Sequence, residues 1–327
     1  MTILVTGSAG HLGEALMRTF HQQGEAARGL DIKPSPFTHC VGSIAERGVV
    51  RRCMAGMRTV IHAATLHKPH VATHSYQNFL DTNVTGTLVL LEEAVKAGVE
   101  SFVFTSTTST FGAALTPAKD EPAAWVTEDV LPIPKNIYGA SKVAAEGLCE
   151  LFARKHRLPT IVLRTSRFFP EADDDAAIRD AYEPANAQAN ELLNRRADIA
   201  DIVDAHILAA ERAKAIGFGR YIISATTPFA EDDLAALRHD APGVVNRLFP
   251  DCPALFAKRG WRFFPAIDRV YVNRRALKEL GWRPRYDFRN MLDSLAQGTD
   301  FRSPLAREVG SKGYHDEVFA GAPYPVA

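Results

Sequence analysis

The sequence predicts an α/β fold, a doubly wound parallel sheet with a smaller carboxyl-terminal lobe, and three observations support it. Short β-rich apolar runs alternate with helical stretches through the first half of the chain. A glycine-rich turn joins the first of these runs to the first helix. After Ser166 the alternation gives way to a polar, acidic segment. Continuous apolar strands separated by helices are typical of a parallel sheet covered by helices on both faces.

The predicted strands and helices follow one another in a regular order. The strands are TILVTG, AARGLDI, TVIHAA, SFVFTST, TIVLRTS and GRYIISA, and the main helices are HLGEALMRTFHQQG, FLDTNVTGTLVLLEEAVKAG, YGASKVAAEGLCELFARKH and DIADIVDAHILAAERAKA. Right-handed crossovers between parallel strands place helices on both faces of the sheet. The sequence therefore predicts a domain at 1–166, to which 198–224 returns, and a lobe made of 167–197 and 225–327.

Composition argues against several classes of protein. The chain has 327 residues, 46% of them hydrophobic, and its 38 basic residues balance 38 acidic ones. Without net charge it has no field that draws it to nucleic acid or to a membrane surface, so we expect neither partner. The start MTILVTG has no basic or apolar leader, which predicts a cytoplasmic protein. The four cysteines are widely spaced, which argues against a disulfide framework or a zinc site.

A glycine-rich segment, TGSAGHLG, follows the first strand directly and opens the first helix. Gly7 permits the tight turn, Gly10 lets the backbone approach a pyrophosphate, and Gly13 allows the helix to pack closely on the strand. The helix begins at His11 and Leu12, where its N–H groups and dipole favour phosphate binding. Because the segment lies between a strand and a helix, it predicts a dinucleotide-binding site.

Asp31 ends the second strand, eighteen residues past Gly13. A carboxylate at this place can accept hydrogen bonds from the adenosine ribose hydroxyls, and its charge repels a 2′-phosphate. Arg28 and Lys33 are close in sequence and weaken that preference. The sequence therefore predicts NAD as the cofactor, with NADP less favoured. The alternative is a loop aspartate that caps its own turn.

The chain resembles the extended short-chain dehydrogenases/reductases, the NAD-dependent epimerase/dehydratase family. The resemblance rests on TGSAGHLG, LDI, VIHAAT, NVTGTLVLLEEA, FVFTSTTSTFG, YGASKVAAE, VLRTS, DIVDAHILAAE and ALKELGWRPRYDF, which occur in order over most of the chain. It implies a Rossmann-type NAD-binding domain with a smaller carboxyl-terminal substrate-binding lobe. It also implies a homodimer formed through the helices around residues 80–97 and 138–156.

The resemblance carries three catalytic residues over to this chain. The family's Tyr-x-x-x-Lys motif matches Tyr138 and Lys142, and its hydroxyl residue after the fifth strand matches Thr107. The four-residue spacing puts Tyr138 and Lys142 on one helical face, although the same spacing also suits an exposed helical pair. A nearby ammonium and the positive nicotinamide favour the phenolate of a tyrosine, whose ordinary pKa is about 10. Thr107 would orient the reacting oxygen toward Tyr138.

The resemblance implies further cofactor contacts along the chain. They lie in the turn after the strand TVIH, in the next helix, in the hydroxyl cluster and after the strand TIVLRT: Ala63, Ala64, Thr65, Asn83, Thr105 and Ser166. Lys142 would also hold the nicotinamide ribose. At the adenine end the family usually has Asp followed by an aliphatic residue, and this chain has Ser43 and Ile44.

Departures from the family pattern bear on the reaction. Sugar-nucleotide dehydratases of the family have Asp-Glu directly after the catalytic hydroxyl, whereas Thr107 is followed by Thr108 and Ser109, which argues against a dehydratase. Epimerases of nucleotide sugars usually have an Asn shortly after the strand TIVLRT and an Arg before the next helix. The matching residues here are Arg167 and Asn194. The pyrophosphate clamp is therefore not present in its usual form.

The predicted function is hydride transfer at a secondary alcohol or ketone of a sugar or sugar nucleotide. A UDP-glucose 4-epimerase-like reaction is favoured. One alternative is a dehydrogenase or reductase of a small sugar, a sugar acid or another carbonyl compound, and another is a non-catalytic dinucleotide sensor. Sensors typically lose the Tyr or the Lys, whereas this chain keeps both. Candidate substrate contacts are His67, Thr107, Thr108 and Arg167.

Four histidines crowd the loop after the strand TVIH, namely His62, His67, His70 and His74. Such a cluster could suggest a metal site, but no carboxylate or cysteine accompanies it, so the sequence predicts no metal. Substrate contact by His67 or His70, or a plain surface position, is the favoured interpretation.

Overall fold

A computed structural model describes residues 2–173 and 175–313 of the chain. The last fourteen residues of the predicted lobe, 314–327, lie outside the described residues. Nine strands are described: β1 Thr2–Thr6, β2 Ala26–Asp31, β3 Cys40–Val41, β4 Thr59–His62, β5 Ser101–Thr107, β6 Ala124–Val126, β7 Thr160–Thr165, β8 Phe218–Ile223 and β9 Arg269–Tyr271.

Thirteen α-helices are described around and beyond the strands. They are α1 His11–Gln22, α2 Arg47–Met54, α3 Tyr76–Phe79, α4 Gly86–Ala97, α5 Ile137–His156, α6 Ala176–Ala181, α7 Pro184–Glu191, α8 Ile199–Ile216, α9 Leu234–Leu237, α10 Ala241–Leu248, α11 Cys252–Lys258, α12 Phe288–Gln297 and α13 Pro304–Val309. A π-helical turn at Leu80–Thr85 joins α3 to α4, so the predicted single helix here is continuous but locally widened.

Seven parallel strands form the central sheet in the order β3-β2-β1-β4-β5-β7-β8. The order reverses between β1 and β4, which is the switch point of a doubly wound sheet and the place where such sheets bind ligands. The predicted α/β class and parallel sheet are confirmed. The sequence did not reveal β3, α2, β6 or β9, because elements of two to eight residues are too short for a clear periodicity.

Two apolar cores hold the sheet, one on each face. Ile3 and Val5 of β1 pack with α1 and α8 on one face, whereas Leu4 packs with α2, α4 and α5 on the other. All three side chains are fully buried, as expected where successive residues of a strand point to opposite faces of a covered sheet. Side-chain caps begin two of the flanking helices: Asn136 accepts from the Gly139 N–H at 3.0 Å at the start of α5, and Asp198 accepts from the Ala200 N–H at 2.8 Å at the start of α8.

The carboxyl-terminal lobe has its own core around Phe256, Trp261 and Phe288. Packing crosses the predicted domain boundary, since Trp282 is buried in the core of the sheet and its indole donates to the Asp201 carbonyl at 2.9 Å. The short strands β6 and β9 pair in parallel beside the main sheet and join the two parts a second time. The division into 1–166 with 198–224 and 167–197 with 225–327 stays our proposal.

Candidate active site

A cavity of about 250 Å³ opens at the carboxyl ends of the central strands. Most of the residues predicted for cofactor, catalysis or substrate line it: Gly7, Gly10, His11, Leu12, Gly13, Ala63, Thr65, His67, Thr105, Thr107, Thr108, Tyr138, Lys142, Ser166 and Arg167. Residues from the glycine loop, β5, α5 and the end of β7 therefore share one cleft, although they are far apart in sequence. Five predicted residues do not line this cavity: Asp31, Ser43, Ile44, Ala64 and Asn83.

The glycine loop forms a tight cradle at the start of α1. Gly7 has a φ of 75°, in the region that favours glycine. A Cβ on Gly13 would lie 1.9 Å from the Gly7 carbonyl oxygen, so no larger residue fits there without moving the loop. Gly10 is the N-cap of α1 and makes no side-chain cap, which leaves the first turn of the helix open to a ligand.

Asp31 ends β2, which pairs with β1, and its side chain forms a hydrogen bond with the glycine loop. Its carboxylate accepts from the Ala9 N–H at 3.0 Å and from the Lys33 N–H at 2.9 Å. The local capping interpretation of Asp31 is therefore realised in this structure. The contact with Ala9 also places the carboxylate beside the loop, and its role toward the ribose hydroxyls stays a prediction.

The side chains of Ser43 and Ile44 contact other residues of the protein. The Ser43 hydroxyl accepts from the Ala45 N–H at 3.1 Å, which closes a local turn. Ile44 is only 4% exposed, and its side chain fills the space above Gly86 of α4. Ile44 thus belongs to the core, and the predicted adenine contacts stay predictions.

Asn83 stabilises the loop after β4 from behind. Its amide oxygen accepts from the Leu66 N–H at 2.8 Å, and its amide nitrogen donates to the Leu66 carbonyl at 3.0 Å and to the Ser141 hydroxyl at 2.9 Å. Because both ends of the side chain are bonded within the protein, Asn83 fixes the loop and α5 relative to each other. Asn83 does not line the cavity itself, but the loop that it fixes contains Thr65 and His67, which do.

Tyr138 is 6% exposed and lies on the first turn of α5. Burial raises the pKa of Tyr138 to about 12, and a hydrogen bond from Thr107 opposes that rise. The Thr107 hydroxyl also accepts from the Ser109 N–H at 3.1 Å, which fixes it at the end of β5. Burial dominates, so the phenol stays protonated at neutral pH, and the expected effect of the Lys142 ammonium and the nicotinamide on Tyr138 stays a prediction.

Lys142 is 2% exposed and lies one turn beyond Tyr138 on α5. Its ammonium donates to the Thr105 carbonyl at 2.7 Å and lies 4.6 Å from the centre of the Phe104 ring. Burial lowers the pKa of Lys142 to about 7. The ammonium therefore links α5 to β5. Because its pKa is about 7, Lys142 gains or loses its proton near neutral pH.

His206 lies behind the hydroxyl cluster and was not predicted from the sequence. Its Nε2 is 2.9 Å from the Thr105 hydroxyl, and its Nδ1 is 2.7 Å from the Ile202 carbonyl. Burial lowers the pKa of His206 to about 4, so the ring is neutral, with Nδ1 donating to Ile202 and Nε2 accepting from Thr105. A histidine within the alanine-rich run of α8 was the only signal in the sequence.

An aromatic wall closes one side of the cavity. The His67 ring lies 6.0 Å from the Tyr138 ring and meets Phe169 edge-on at 5.5 Å. The His11 ring stacks on Phe168 at 5.9 Å. Burial lowers the pKa of His67 to about 3 and that of His11 to about 4, so both rings are neutral. His67 thus lies beside the predicted catalytic tyrosine.

The other loop histidines have separate surroundings. His62 is 1% exposed and lies between the hydroxyls of Thr6 and Thr87, at 2.8 and 2.9 Å. His70 accepts the His67 N–H at 2.9 Å and so shapes the turn after β4. Within residues 2–173 and 175–313, no group of three or more His, Cys, Asp or Glu side chains has the arrangement of a metal site.

Arg167, Arg195 and Arg269 line the far wall of the cavity, and the carboxylates of Asp173 and Glu191, which do not line it, pair with Arg167 and Arg195. Arg195 donates to Asp173 at 3.0 Å and forms an ion pair with Glu191 at 3.0 Å, and Arg196 donates to Glu191 at 2.6 Å. Arg167, the predicted substrate contact, lies 3.5 Å from Asp173. The sequence did not predict this network, because its members come from the irregular segment between β7 and α8.

Comparisons with known proteins identify the family of the chain. The sequence model of the NAD dependent epimerase/dehydratase family matches residues 3–223. The chain belongs to this family. A dTDP-glucose 4,6-dehydratase of Streptomyces antibioticus is 30% identical over 327 residues, covering 88% of this chain and 89% of the relative. The predicted family, and with it the NAD dependence that defines it, is confirmed.

Two further known proteins are similar to different shares of this chain. A UDP-glucose 4-epimerase of Erwinia amylovora is 31% identical over 182 residues, which is 50% of this chain, and the chain spans about half of that relative's length, 52%. A short-chain dehydrogenase/reductase superfamily protein from Agrobacterium tumefaciens, solved with bound NAD, has a TM-score of 0.64 at 25% identity and covers 94% of this chain and 99% of its own. No helix in the described part of the chain is long and apolar enough to cross a membrane.

Proposed function

We propose that this protein is an NAD-dependent oxidoreductase that transfers hydride at a secondary alcohol or ketone of a sugar compound. The observation that carries the proposal is the convergence of Thr107, Tyr138 and Lys142 on one cavity with the glycine loop. A hydroxyl, a buried phenol and a buried ammonium in one cleft suit proton transfer to or from an oxygen. The family of the chain supports the cofactor.

The cavity wall fits a dinucleotide. The cradle of Gly7 and Gly13 leaves no room for a Cβ, so backbone can approach a pyrophosphate at the start of α1. His11 Nδ1 and Ser166 Oγ are buried on the cavity wall and have no hydrogen-bond partner among the described residues, so they can bond a ligand. Bound NAD supplies the hydride acceptor or donor.

Tyr138 would move the proton of the reacting oxygen. Because burial keeps the phenol protonated, Tyr138 is ready to donate a proton to a carbonyl oxygen during reduction, and it must lose that proton to act as a base in oxidation. Thr107 lies within hydrogen-bonding reach of the phenol and would orient the same oxygen. Lys142, fixed by Thr105, would hold the ribose hydroxyls.

Two outcomes of the same hydride step are proposed. In the UDP-glucose 4-epimerase-like reaction the ketone stays bound, turns and is reduced again, and the Erwinia relative supports this outcome. In a dehydrogenase or reductase the ketone is exchanged with solvent. The absence of an Asp-Glu pair after Thr107, where the chain has Thr108 and Ser109, favours both outcomes over water elimination.

We also propose a homodimer that pairs α4 and α5 with their copies. Val84 and Leu88 lie half-buried at four-residue spacing along the helix that ends with α4. On α5 the exposed residues Ala140, Ala144 and Gly147 offer a smooth surface for close helix approach. Such faces suit helix-to-helix packing between subunits.

The test compares wild type with Tyr138→Phe on a panel of free sugars, sugar acids and sugar nucleotides. We expect turnover to fall at least about 100-fold, the usual contribution of a proton-transferring side chain, with NAD affinity by calorimetry unchanged. Tyr76→Phe is the matched control, because Tyr76 is 68% exposed and does not line the cavity. NAD binding with no turnover that depends on Tyr138 would favour the dinucleotide sensor instead. NAD that co-purifies tightly would favour the epimerase outcome.

A further inference from the structure

A chain of buried contacts runs from α8 through the end of β5 to Lys142. The His206 Nε2 lies 2.9 Å from the Thr105 hydroxyl oxygen, and the Thr105 carbonyl accepts from the Lys142 ammonium at 2.7 Å. His206 is fully buried, and Thr105 and Lys142 are 9% and 2% exposed. Thr105 is therefore held from two sides, by α8 through its side chain and by α5 through its carbonyl.

The direction of the bond between His206 and Thr105 follows from the other ring nitrogen. The Nδ1 of His206 lies 2.7 Å from the Ile202 carbonyl, which can only accept, so Nδ1 carries the proton. Burial lowers the pKa of His206 to about 4, so Nε2 is unprotonated at neutral pH. The Thr105 hydroxyl must then donate to Nε2. This bond uses the one proton of the hydroxyl and fixes the side chain of Thr105 toward α8.

The position of the Lys142 ammonium depends on the same end of β5. Besides bonding to the Thr105 carbonyl, the ammonium lies over the Phe104 ring, whose centre is 4.6 Å away. Phe104 and Thr105 are consecutive residues of β5, so a shift of the strand end moves both contacts. Fixing Thr105 from α8 therefore fixes both of these contacts of Lys142.

A second hydrogen bond of the same kind joins α8 to the other end of β5. The Ser101 hydroxyl donates to the Ala210 carbonyl at 2.9 Å, and Ser101 is 5% exposed. Ser101 begins β5 and does not line the cavity. A change at Ser101 therefore removes a buried bond between α8 and β5 without touching the end of the strand beside Lys142.

We propose that His206 is a positioning residue, which holds the Lys142 ammonium at the cavity by fixing Thr105. The inference rests on the hydride transfer proposed above, in which Lys142 would hold the nicotinamide ribose. His206 does not line the cavity, so it acts only through Thr105. Its neutral ring suits this role, because it accepts from Thr105 without placing a second positive charge near the ammonium.

The pKa of Lys142 reports whether the ammonium keeps its carbonyl partner. Burial lowers this pKa to about 7, and Cys149 and Glu146 of α5 oppose that shift. The Lys142 charge also acts on His62 and His67, whose pKa values burial lowers so that both rings are neutral. A carbonyl bonds the ammonium more strongly than the neutral amine, so loss of the carbonyl lowers the pKa of Lys142 further.

The first test measures the pKa of Lys142 in the cofactor-free protein by carbon-13 NMR of the lysine Cε groups. The Lys142 signal is assigned by its loss in Lys142→Met. His206→Leu removes the acceptor for Thr105, and we expect the pKa of Lys142 to fall by at least about 0.5. His206→Gln places an amide oxygen near the position of Nε2 and should keep the pKa close to that of wild type. Because both variants lack the imidazole, the difference between them does not come from titration of His206.

Two further variants make this test decisive. Thr105→Val removes the hydroxyl and keeps the shape of the side chain, so it should lower the pKa of Lys142 as His206→Leu does, even if His206→Leu does not fold. Ser101→Ala is the control and should leave the pKa unchanged. Thermal unfolding checks each variant. The inference fails if the folded variants at His206 and Thr105 leave the pKa of Lys142 unchanged, if His206→Gln lowers it as far as His206→Leu, or if Ser101→Ala lowers it equally.

NAD binding and turnover separate this inference from the hydride proposal. We expect His206→Leu to weaken NAD binding at least about threefold by calorimetry and to lower kcat at least about tenfold, with KM for the sugar within about twofold of wild type, because a displaced ammonium misplaces the cofactor. His206→Gln should restore most of both losses. If no sugar is turned over, the hydride proposal fails, and the pKa of Lys142 and the NAD affinity still test His206. If turnover depends on Tyr138 but His206→Leu changes neither the pKa of Lys142 nor NAD binding, the hydride proposal stands and the positioning role is refuted.

Discussion

The Lys142 ammonium lies 2.7 Å from the Thr105 carbonyl oxygen and so joins α5 to the end of β5. Both partners line the cavity, and the lysine is 2% exposed. A buried ammonium with a single carbonyl partner is poorly compensated, which is why burial lowers the pKa of Lys142 to about 7. The site therefore holds a charge that opposes folding near neutral pH.

Lys142→Met should make the stability of the cofactor-free protein less dependent on pH. Between pH 7 and pH 10 the unfolded lysine stays protonated while the native one loses its proton, so the free energy of unfolding of wild type rises with pH by up to about 1 kcal/mol per unit. Urea unfolding at pH 7, 8 and 9 measures this. Relative to wild type, the variant should lose stability as pH rises. For Lys155→Met, a change at an exposed site on α5, the free energy of unfolding should depend on pH as it does for wild type. If the free energy of unfolding of Lys142→Met depends on pH as that of wild type does, burial does not lower the pKa of Lys142.

Gly13→Ala should weaken both folding and NAD binding. The new Cβ would lie 1.9 Å from the Gly7 carbonyl, so the loop or the helix must move. We expect a loss of about 2 kcal/mol in the free energy of unfolding and at least about tenfold weaker NAD binding. Gly147→Ala is the matched control, because nothing lies within 4 Å of its Cβ position in α5. That control should gain about 0.5 to 1 kcal/mol from helix propensity. If Gly13→Ala and Gly147→Ala have equal effects, the glycine loop has room for a side chain at position 13.

Asp31→Asn should reduce the preference for NAD over NADP. The neutral amide no longer repels a 2′-phosphate and is a weaker acceptor for the Ala9 N–H. We expect NAD affinity to fall by about tenfold and NADP affinity to fall less or to rise, as measured by calorimetry with each cofactor. Asp232→Asn, at an exposed position in the carboxyl-terminal lobe, should leave both affinities unchanged. An unchanged NAD to NADP ratio would mean that Asp31 only caps its loop.

Ala144→Glu should break the proposed homodimer. The residue is exposed on α5, and a carboxylate there would be buried without a partner in a helix-to-helix interface. Sedimentation at micromolar concentration should show wild type as a dimer and the variant as a monomer. Leu131→Glu is the control, because Leu131 is 79% exposed and lies outside α4 and α5. A wild-type monomer, or a variant that still dimerises, would refute the interface.

The cofactor side of the cleft was readable from the sequence because its chemistry requires particular residues at fixed spacings. Gly13 has no room for a side chain, and Tyr138 and Lys142 must be one helical turn apart to reach the same cavity. Residue type alone could not separate ligand contacts from supports. Asn83 and Ile44 have the expected identity, yet one saturates its amide inside the protein and the other fills a core.

The far wall could not be read from the sequence because most of its ion pairs follow no helical or strand spacing. Asp173 and Arg195 lie 22 residues apart in an irregular segment, and their ion pair has no periodic signal. Arg269 comes from a strand of three residues that the sequence did not indicate. The effect of burial on the pKa of Tyr138 could not be read from the sequence for a related reason, since burial depends on packing that only the folded chain defines.

The pairing of β6 with β9 sets the order in which the cleft can form during synthesis. Trp125 lies opposite Val270 in that pair, so the strand that carries Arg269 and Tyr271 finds its partner 145 residues back along the chain. Contacts across such separations form late, and amino-terminal parts fold first as the chain emerges from the ribosome. The nascent chain would therefore acquire its glycine loop and its Tyr138–Lys142 helix before Arg269 and Tyr271 complete the lining of the cavity.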